Sequence, residues 1–318
     1  MVLEDFPETL AEFTEKYGND ETCREYLIKQ RWPEGFKCPR CGHEHATYLE
    51  KWERWTCRKC LHQTSLIAET SLRGTRKPLK TWFLAMYLVT SSKGGISAME
   101  LRRKLGLGSY QTAWVWLHKL RAAMVNPSRQ PLHGEVEVDE SYLGGNEKGV
   151  KGRQTEKKAI VACAVEKTDN GFGRIRLQLV PDVTQTSLEE FVNANVEVGT
   201  TAITDGWKGY NSLGKVGFKH VRIVISKAKA SASELLPGVH RVFALLKRWI
   251  LGTHQGFVGA KHLQAYLDEF TFRFNRRKSK KLTHAFQRLA EGVVQSAAKP
   301  YWKLIGRISP KIPLMAAA

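Results

Sequence analysis

The hydrophobic positions divide the chain near residue 134, where their period changes from helical to extended. Before that point apolar residues recur every three or four positions. They predict two short helices within 8–30, a longer helix at 79–90 and a pair of helices within 93–125. Residues 36–65 interrupt this pattern with a polar, turn-rich segment. We therefore expect a helical N-terminal part that contains one small module without helices.

After residue 134 apolar and polar positions alternate, which is typical of strands with two different faces. The predicted elements are strands at 134–143, 159–165, 173–181, 200–206 and 220–225 and helices at 186–197, 239–251 and 260–274. Thr186 and Glu189 have the spacing of a capping box for the first of these helices. Strands alternating with helices predict an α/β layered domain.

The predicted helix pair within 93–125 is separated by a turn that contains Gly106 and Gly108. Helix, glycine-containing turn and helix make a helix-turn-helix pattern, in which the second helix contacts DNA. A helical hairpin that packs only against the protein has the same pattern. The pair alone therefore leaves both interpretations open.

Charge favours nucleic acid as the partner. The chain has 50 Lys and Arg against 31 Asp and Glu, a net charge of +19. A basic protein that is merely soluble is the alternative. The segment Met1–Leu10 has no basic stretch, and the longest apolar run, Trp82–Val89, is too short to span a bilayer. We expect a cytoplasmic, nucleoid-associated protein of prokaryotic type with no membrane partner.

Four of the six cysteines form two Cys-x2-Cys pairs with 15 residues between them. Each pair can place two thiolates on one metal ion, and two pairs complete a tetrahedron. Four thiolates leave no position for water, so the expected site is a structural zinc ion. Its predicted ligands are Cys38, Cys41, Cys57 and Cys60.

Two aspartates stand where metal-dependent chemistry would need them. Asp139 lies within a predicted strand, on the face opposite Val136 and Val138, and Asp205 ends another strand. Aspartates on adjacent strands can share two Mg²⁺ ions for phosphoryl transfer. An aspartate at a strand end is also a common turn residue, so the pair by itself is a weak indication.

Most of the chain resembles the zinc-ribbon insertion-sequence transposases of the IS1595 group. The motifs that carry the resemblance are YLIKQRWPEGFKCPRCG (26–42), KGGISAMELRRKLG (93–106), TAWVWLHKLR (112–121), VEVDESYLGG (136–145), ITDGWKGY (203–210), LPGVHRVFALLKRWILGTHQG (236–256) and YLDEFTFRFNRR (266–277). The resemblance implies a multidomain protein in which a zinc ribbon and a helix-turn-helix-like segment precede a mixed-sheet, RNase-H-like catalytic core. The expected divisions are 1–68 for the N-terminal helices and ribbon, 69–128 for the helix-turn-helix-like segment, 129–290 for the core and 291–318 for a tail.

The resemblance further implies an active site of two aspartates, a third metal ligand and a lysine, with Mg²⁺ or Mn²⁺ as cofactor. Asp139 and Asp205 match the aspartates, and Lys247 matches the lysine. Counting two residues back from that lysine puts Leu245 at the third ligand position, where leucine cannot bind a metal. On a helical projection Leu245 lies off the main apolar stripe, as a vacated ligand position would. Glu234 and His240 are the possible substitutes, although His240 projects away from Leu245.

The expected function is a DNA transposase that binds terminal inverted repeats and target DNA and catalyses cleavage and strand transfer, as a homo-oligomer assembled on DNA. Leu245 would impair that activity. A DNA-binding relative without activity, such as a decayed copy or a repressor, is the first alternative. A zinc-ribbon transcription factor is the second, but it would have no use for Asp139 and Asp205.

Overall fold

The protein was examined as a computed structural model that describes residues 6–144, 158–224, 231–256, 258–279, 282–299 and 301–306. The chain divides into two compact units. One consists of Met1–Asn126 with Ser279–Ala318, and the other of Pro127–Lys278. Residues 145–157, which fall within the predicted core, and residues 307–318, which end the predicted tail, lie outside the described residues.

Helices dominate the first unit, as the period of its apolar residues predicts. They are α1 (Leu10–Lys16), α2 (Asp20–Arg31), α3 (Leu79–Ser91), α4 (Ala98–Leu105), α5 (Tyr110–Ala123), α10 (Leu282–Gln295) and α11 (Tyr301–Leu304). Between α2 and α3 the chain forms a three-stranded antiparallel sheet, β1 (Ala46–Leu49), β2 (Arg54–Cys57) and β3 (Gln63–Ser65). This small sheet forms within residues 36–65, the segment that lacks helical periodicity.

Helix α10 belongs to the first unit, whereas the predicted domain division put residues up to 290 in the core. Phe286 is fully buried, and its ring packs against Phe13, Tyr17 and Phe83 of the first unit. Leu289 and Val293 are buried on the same side of the helix. A helix with one apolar stripe must bury it, and here the buried partners are α2, α3 and α5. The chain therefore returns to its first unit after the core.

The second unit contains a five-stranded mixed sheet with helices on both faces. Its elements are β4 (Glu135–Leu143), β5 (Ala159–Thr168), β6 (Gly171–Val180), α6 (Gln185–Asn195), β7 (Thr201–Asp205), β8 (Lys219–Ile223), α7 (Ala232–Leu235), α8 (Pro237–His254) and α9 (Leu263–Phe274). The strand order is β6-β5-β4-β7-β8. Strands β4, β5 and β6 pair antiparallel, whereas β7 is parallel to both β4 and β8. This layout agrees with the expected RNase-H-like core.

Alternation along β4 and β5 separates the two hydrophobic layers of this unit. Val136 and Val138 pack with Ala162 and with α6 on one face. Val161 and Cys163 of β5 pack with α8 and α9 on the other face. The odd-numbered residues of β4, which include Asp139, therefore project from the face that α8 covers.

Helix α6 begins earlier than its predicted capping box. Thr184 is the N-cap, and its hydroxyl accepts a hydrogen bond from the backbone N–H of Ser187. Asp182 in turn accepts from the Thr184 hydroxyl at 2.6 Å. The prediction of a capping box at Thr186 and Glu189 is wrong because Thr184 offers the same cap chemistry two residues earlier.

Within the described residues, no helix combines the length and the apolar character that a membrane span requires.

Candidate active site and metal centres

The four cysteines come together in the first unit. Their sulfur atoms all lie within 4.8 Å of one another. The Cys38–Cys60 and Cys41–Cys57 sulfur pairs are each 3.7 Å apart, far beyond a disulfide bond. Four Zn–S bonds of about 2.3 Å require tetrahedral edges of about 3.8 Å. The cluster therefore has the dimensions of a structural zinc site.

Equivalent turns build the two halves of this site. The N–H of Gly42 donates to the Cys38 carbonyl, and the N–H of Leu61 donates to the Cys57 carbonyl. Both residues adopt a positive φ, +72° at Gly42 and +57° at Leu61. The left-handed backbone brings the second cysteine of each pair back toward the first. Glycine adopts it freely, but Leu61 does so at a conformational cost.

Local N–H groups also favour the thiolate that zinc needs. Burial opposes ionisation of the Cys57 thiol, but hydrogen bonds from the backbone N–H groups of Cys60 and Lys59 and from the Cys41 and Cys60 thiols lower its pKa to about 6. The neighbouring cysteines in turn raise the pKa of the Cys41 thiol to about 12, so the first proton is lost from Cys57.

Asp139 and Asp205 stand side by side in the second unit, as the sequence predicts. The parallel pairing of β4 with β7 runs as far as Val138 with Thr204, so the next residue on each strand is an aspartate. The Asp139 carboxylate accepts from the N–H of Glu140 at 2.9 Å, and that of Asp205 accepts from the N–H of Trp207 at 2.9 Å. These contacts hold both side chains at the same edge of the paired segment.

Helix α8 brings two further polar side chains over this edge. The Nε2 atom of His240 lies 3.8 Å from Oδ2 of Asp139. Two turns later, the Lys247 ammonium group donates to the hydroxyl of Ser141 at 3.2 Å. Asp139 and Ser141 are alternate residues of one strand, so their side chains share a face. Together these residues form a group of one carboxylate pair, one imidazole and one ammonium, in which Lys247 is exposed and the other three are partly buried.

The surroundings keep the imidazole of His240 neutral. Partial burial lowers its pKa, and the positive charge of Lys247 lowers it further. A neutral imidazole offers a lone pair to a metal ion. Among the described residues, the four cysteines form the compact group of ligand atoms that could hold one metal ion.

Two family models match the chain. The model of the ISXO2-like transposase domain matches residues 131–275, and that of the transposase zinc-ribbon domain matches residues 18–63. The first match contains the carboxylate pair with His240 and Lys247, and the second contains the four cysteines. The chain belongs to the zinc-ribbon transposases of the IS1595 group. No curated protein matched the chain.

Leu245, the expected position of the third metal ligand, lies at the edge of the hydrophobic core of this transposase. Leu245 is half-buried and packs against the hydrophobic core between α8 and the sheet. His240 is the α8 residue whose ring approaches Asp139. Residues seven apart lie about 20° apart on a helix, whereas residues two apart point in nearly opposite directions. His240 therefore shares a face with Lys247, and Leu245 does not.

The other substitute, Glu234, serves a local purpose. Its carboxylate accepts from the backbone N–H of Ser231 at 2.7 Å and from the Ser231 hydroxyl at 2.8 Å, and so completes the capping box of α7. Sequence reasoning missed two neighbours of Asp139. Glu140 accepts a hydrogen bond at 2.8 Å from the fully buried hydroxyl of Tyr210, and Glu137 is buried beneath α8. Alternation places Glu137 on the face of β4 opposite Val136 and Val138, but it does not reveal which helix covers that face.

Basic side chains surround a cleft in the first unit of the transposase. The cleft has a volume of about 450 Å³ and is lined by Gln111 and Thr112 from the start of α5 and by Arg76, Lys77 and Lys119. Arg76 and Lys77 are exposed and also line a second cleft beside the ribbon residues Arg54 and Trp55. The segment of Arg76 and Lys77 thus lies between the ribbon and the second helix of the predicted helix-turn-helix.

Proposed function

We propose that this chain is a transposase that binds the terminal inverted repeats of an insertion sequence and catalyses metal-dependent cleavage and strand transfer. Asp139, Asp205 and His240 are its metal ligands, and Lys247 contacts a DNA phosphate. The observation that carries the proposal is the approach of His240 to Asp139, at 3.8 Å, beside the register neighbour Asp205. These are three ligands of the types that Mg²⁺ and Mn²⁺ accept.

The donor set fits such a site. Two hard carboxylates and one neutral imidazole leave coordination positions open for water and phosphate oxygens, unlike the closed set of four thiolates. Bound divalent ions would supply Lewis-acid stabilisation of the attacking and leaving oxygens in phosphoryl transfer. The chain itself orients the ligands. Strand pairing aligns Asp139 with Asp205, and α8 supplies His240.

Lys247 completes the site by its charge. Its ammonium group is exposed and anchored on Ser141, so it can exchange that hydroxyl for a phosphate oxygen of bound DNA. Because His240 provides the third ligand, the side chain of Leu245 gives no reason to expect impaired activity. A catalytically inactive repressor is therefore the less favoured function.

For DNA recognition, the ribbon and α5 would bind the terminal repeats, with Arg76 and Lys77 on phosphates between them. The two clefts share these two side chains, which connect them, although Asp20 and Glu53 also line the second cleft. Helix α4, a turn at Gly106 with φ +60°, and α5 supply the helix-turn-helix geometry. We further propose that the protein acts as a homo-oligomer assembled on paired element ends.

The test is a cleavage and strand-transfer assay on the element's own ends with Mg²⁺ or Mn²⁺. Asp139→Asn and Asp205→Asn should each abolish both reactions, while metal-free DNA affinity stays the same or rises slightly because a negative charge is removed. Glu190→Gln, at an exposed position of α6, is the matched control and should cleave normally. Normal cleavage by either aspartate variant would overturn the assignment.

A further inference from the structure

A buried carboxylate lies directly before the candidate active site on the same strand face. Glu137 is two residues from Asp139 on β4, and only 2% of its surface is exposed. Its Oε2 atom accepts two backbone hydrogen bonds from α8, from the N–H of Gly238 at 2.7 Å and from the N–H of Val239 at 3.1 Å. A carboxylate is rarely buried to this degree unless its hydrogen bonds are satisfied.

These bonds replace a cap that α8 does not have locally. The first N–H groups of a helix have no partner within it, and the residue before α8, Leu236, provides no side-chain cap. Glu137 provides the acceptor from a strand 101 residues earlier in the chain. A negative charge at this end also interacts favourably with the helix dipole. The start of α8 is thus attached to the sheet rather than to its own flanking sequence.

The packing around this cap leaves little space for the helix to move. A Cβ atom at Gly238 would lie 2.8 Å from Oε2 of Glu137 and 2.8 Å from the ring of Phe172. A larger residue would require the Glu137 carboxylate and the Phe172 ring, or α8 itself, to move. Glycine at this position therefore permits the close approach on which the two hydrogen bonds depend.

Three contacts follow one another along β4 and α8 in the same order. Glu137 holds Gly238 and Val239, Asp139 faces His240, and Ser141 accepts from Lys247. A shift of α8 by one residue would move it by about 1.5 Å and rotate its side chains by about 100°. Such a shift would take His240 away from Asp139.

We propose that Glu137 is a positioning residue: its carboxylate fixes the start of α8 on β4 and thereby places His240 beside Asp139 and Lys247 beside Ser141. Glu137 does not touch the reacting atoms. It acts through the backbone of α8. The consequence for metal binding rests on the proposed function, in which His240 is a ligand, whereas the attachment of α8 does not.

The test compares full-length, zinc-loaded variants by the binding of Mn²⁺ alone, followed by electron paramagnetic resonance, and by hydrogen exchange at the Gly238 and Val239 amides. Glu137→Ala should weaken Mn²⁺ binding about 10- to 100-fold, the range for residues that orient metal ligands. It should also expose both amides to rapid exchange. Glu137→Gln keeps an oxygen acceptor and should stay near the parent in both measurements.

Asn195→Ala is the control for lost stability. Asn195 is equally buried, at 2% exposure, but bonds to Gln178 and the Phe191 carbonyl on the face away from α8. This variant should lower the unfolding temperature without changing Mn²⁺ affinity. If Glu137→Ala does not fold, Glu137→Asp keeps the charge on a shorter side chain and should fold with weakened Mn²⁺ binding.

Combination with His240→Ala separates the two proposals. If Glu137 acts through His240, the double variant should bind Mn²⁺ no more weakly than His240→Ala alone. Effects that multiply, or parental amide protection in Glu137→Ala, would overturn the positioning role. If instead His240→Ala binds Mn²⁺ like the parent, the ligand assignment fails, while the exchange measurement still decides whether Glu137 anchors α8.

Discussion

The two candidate metal sites of this transposase differ in how much of the chain is needed to build them. The cysteine site takes its ligands from two turns, one before β1 and one between β2 and β3. The proposed site at Asp139 would take its ligands from two strands and a helix, and Asp139 and His240 are 101 residues apart. The first site depends on local backbone geometry, whereas the second depends on the packing of α8 against β4.

This difference explains which predictions held. Spacing alone identifies the four cysteines, because each pair needs only its own turn to aim both sulfur atoms at one ion. Near Asp139, counting along the chain selected Leu245 as the position of the third ligand. In the structure Leu245 packs against the core, and His240 is the α8 residue that approaches Asp139.

The largest expected effect concerns the local site. Cys57→Ser, or removal of zinc by a chelator, should unfold the ribbon, because structural zinc contributes about 10–16 kcal/mol of apparent binding free energy in small zinc domains. The second unit should remain folded, since its core contains none of these cysteines. Zinc content and hydrogen exchange would measure both outcomes. Freshly purified protein without zinc would contradict the assignment.

The next effect tests the nonlocal site directly. His240→Ala should reduce cleavage about 10²- to 10³-fold, the typical loss for a misplaced electrostatic group. Leu245→Asn should lower the free energy of unfolding by about 1–3 kcal/mol, because it puts an amide at the edge of the core, and it should give no gain in cleavage. Both substitutions lie in α8, within two turns of Lys247. Improved cleavage by Leu245→Asn would instead support position 245 as the place of the third ligand, as the spacing along the chain suggested.

A smaller effect concerns the charge between the ribbon and α5. Neutralising roughly 6–10 phosphates would give the parent protein a log–log salt slope of about −5 to −9 for DNA binding. Arg76→Ala and Lys77→Ala should each make that slope less steep by about 1. Lys215→Ala, at an exposed position of the second unit, provides the control. Unchanged slopes for both cleft variants would show that this segment does not contact DNA.

The smallest effect examines the equivalence of the two cysteine turns. Leu61→Gly should stabilise the ribbon by about 0.5–1 kcal/mol, because glycine relieves the left-handed strain at φ +57° and Leu61 is 73% exposed. The reverse change, Gly42→Ala, should destabilise the ribbon by a similar amount, because alanine is strained at a φ of +72°. No neighbouring atom lies within 4 Å of the added Cβ, so the backbone strain is the whole effect. Thermal unfolding of the zinc-bound protein measures both. Equal stability of all three proteins would mean that zinc alone dictates the turns.

Much of the architecture is determined by the sequence itself. Periodicity predicts α3, α5, α8 and α9 and all five strands of the second unit near their observed positions, because each buries one face and that face sets the period. The proximity of Asp139 to Asp205 was also predictable, from their positions on two strands expected to be adjacent. The cysteine turns were predictable because their hydrogen bonds close within five residues or so of each cysteine.

Tertiary structure alone decided the rest. No helix is predicted after residue 274, and only the packing of Phe286 against Phe13, Tyr17 and Phe83 shows that α10 belongs to the first unit. Likewise, alternation marks Glu137 as polar, whereas its burial and its bonds to Gly238 and Val239 exist because α8 crosses β4 at that point. The same crossing brings His240, rather than Leu245, close to Asp139. A period identifies the buried face of each element, but which face of another element meets it depends on how the whole unit packs.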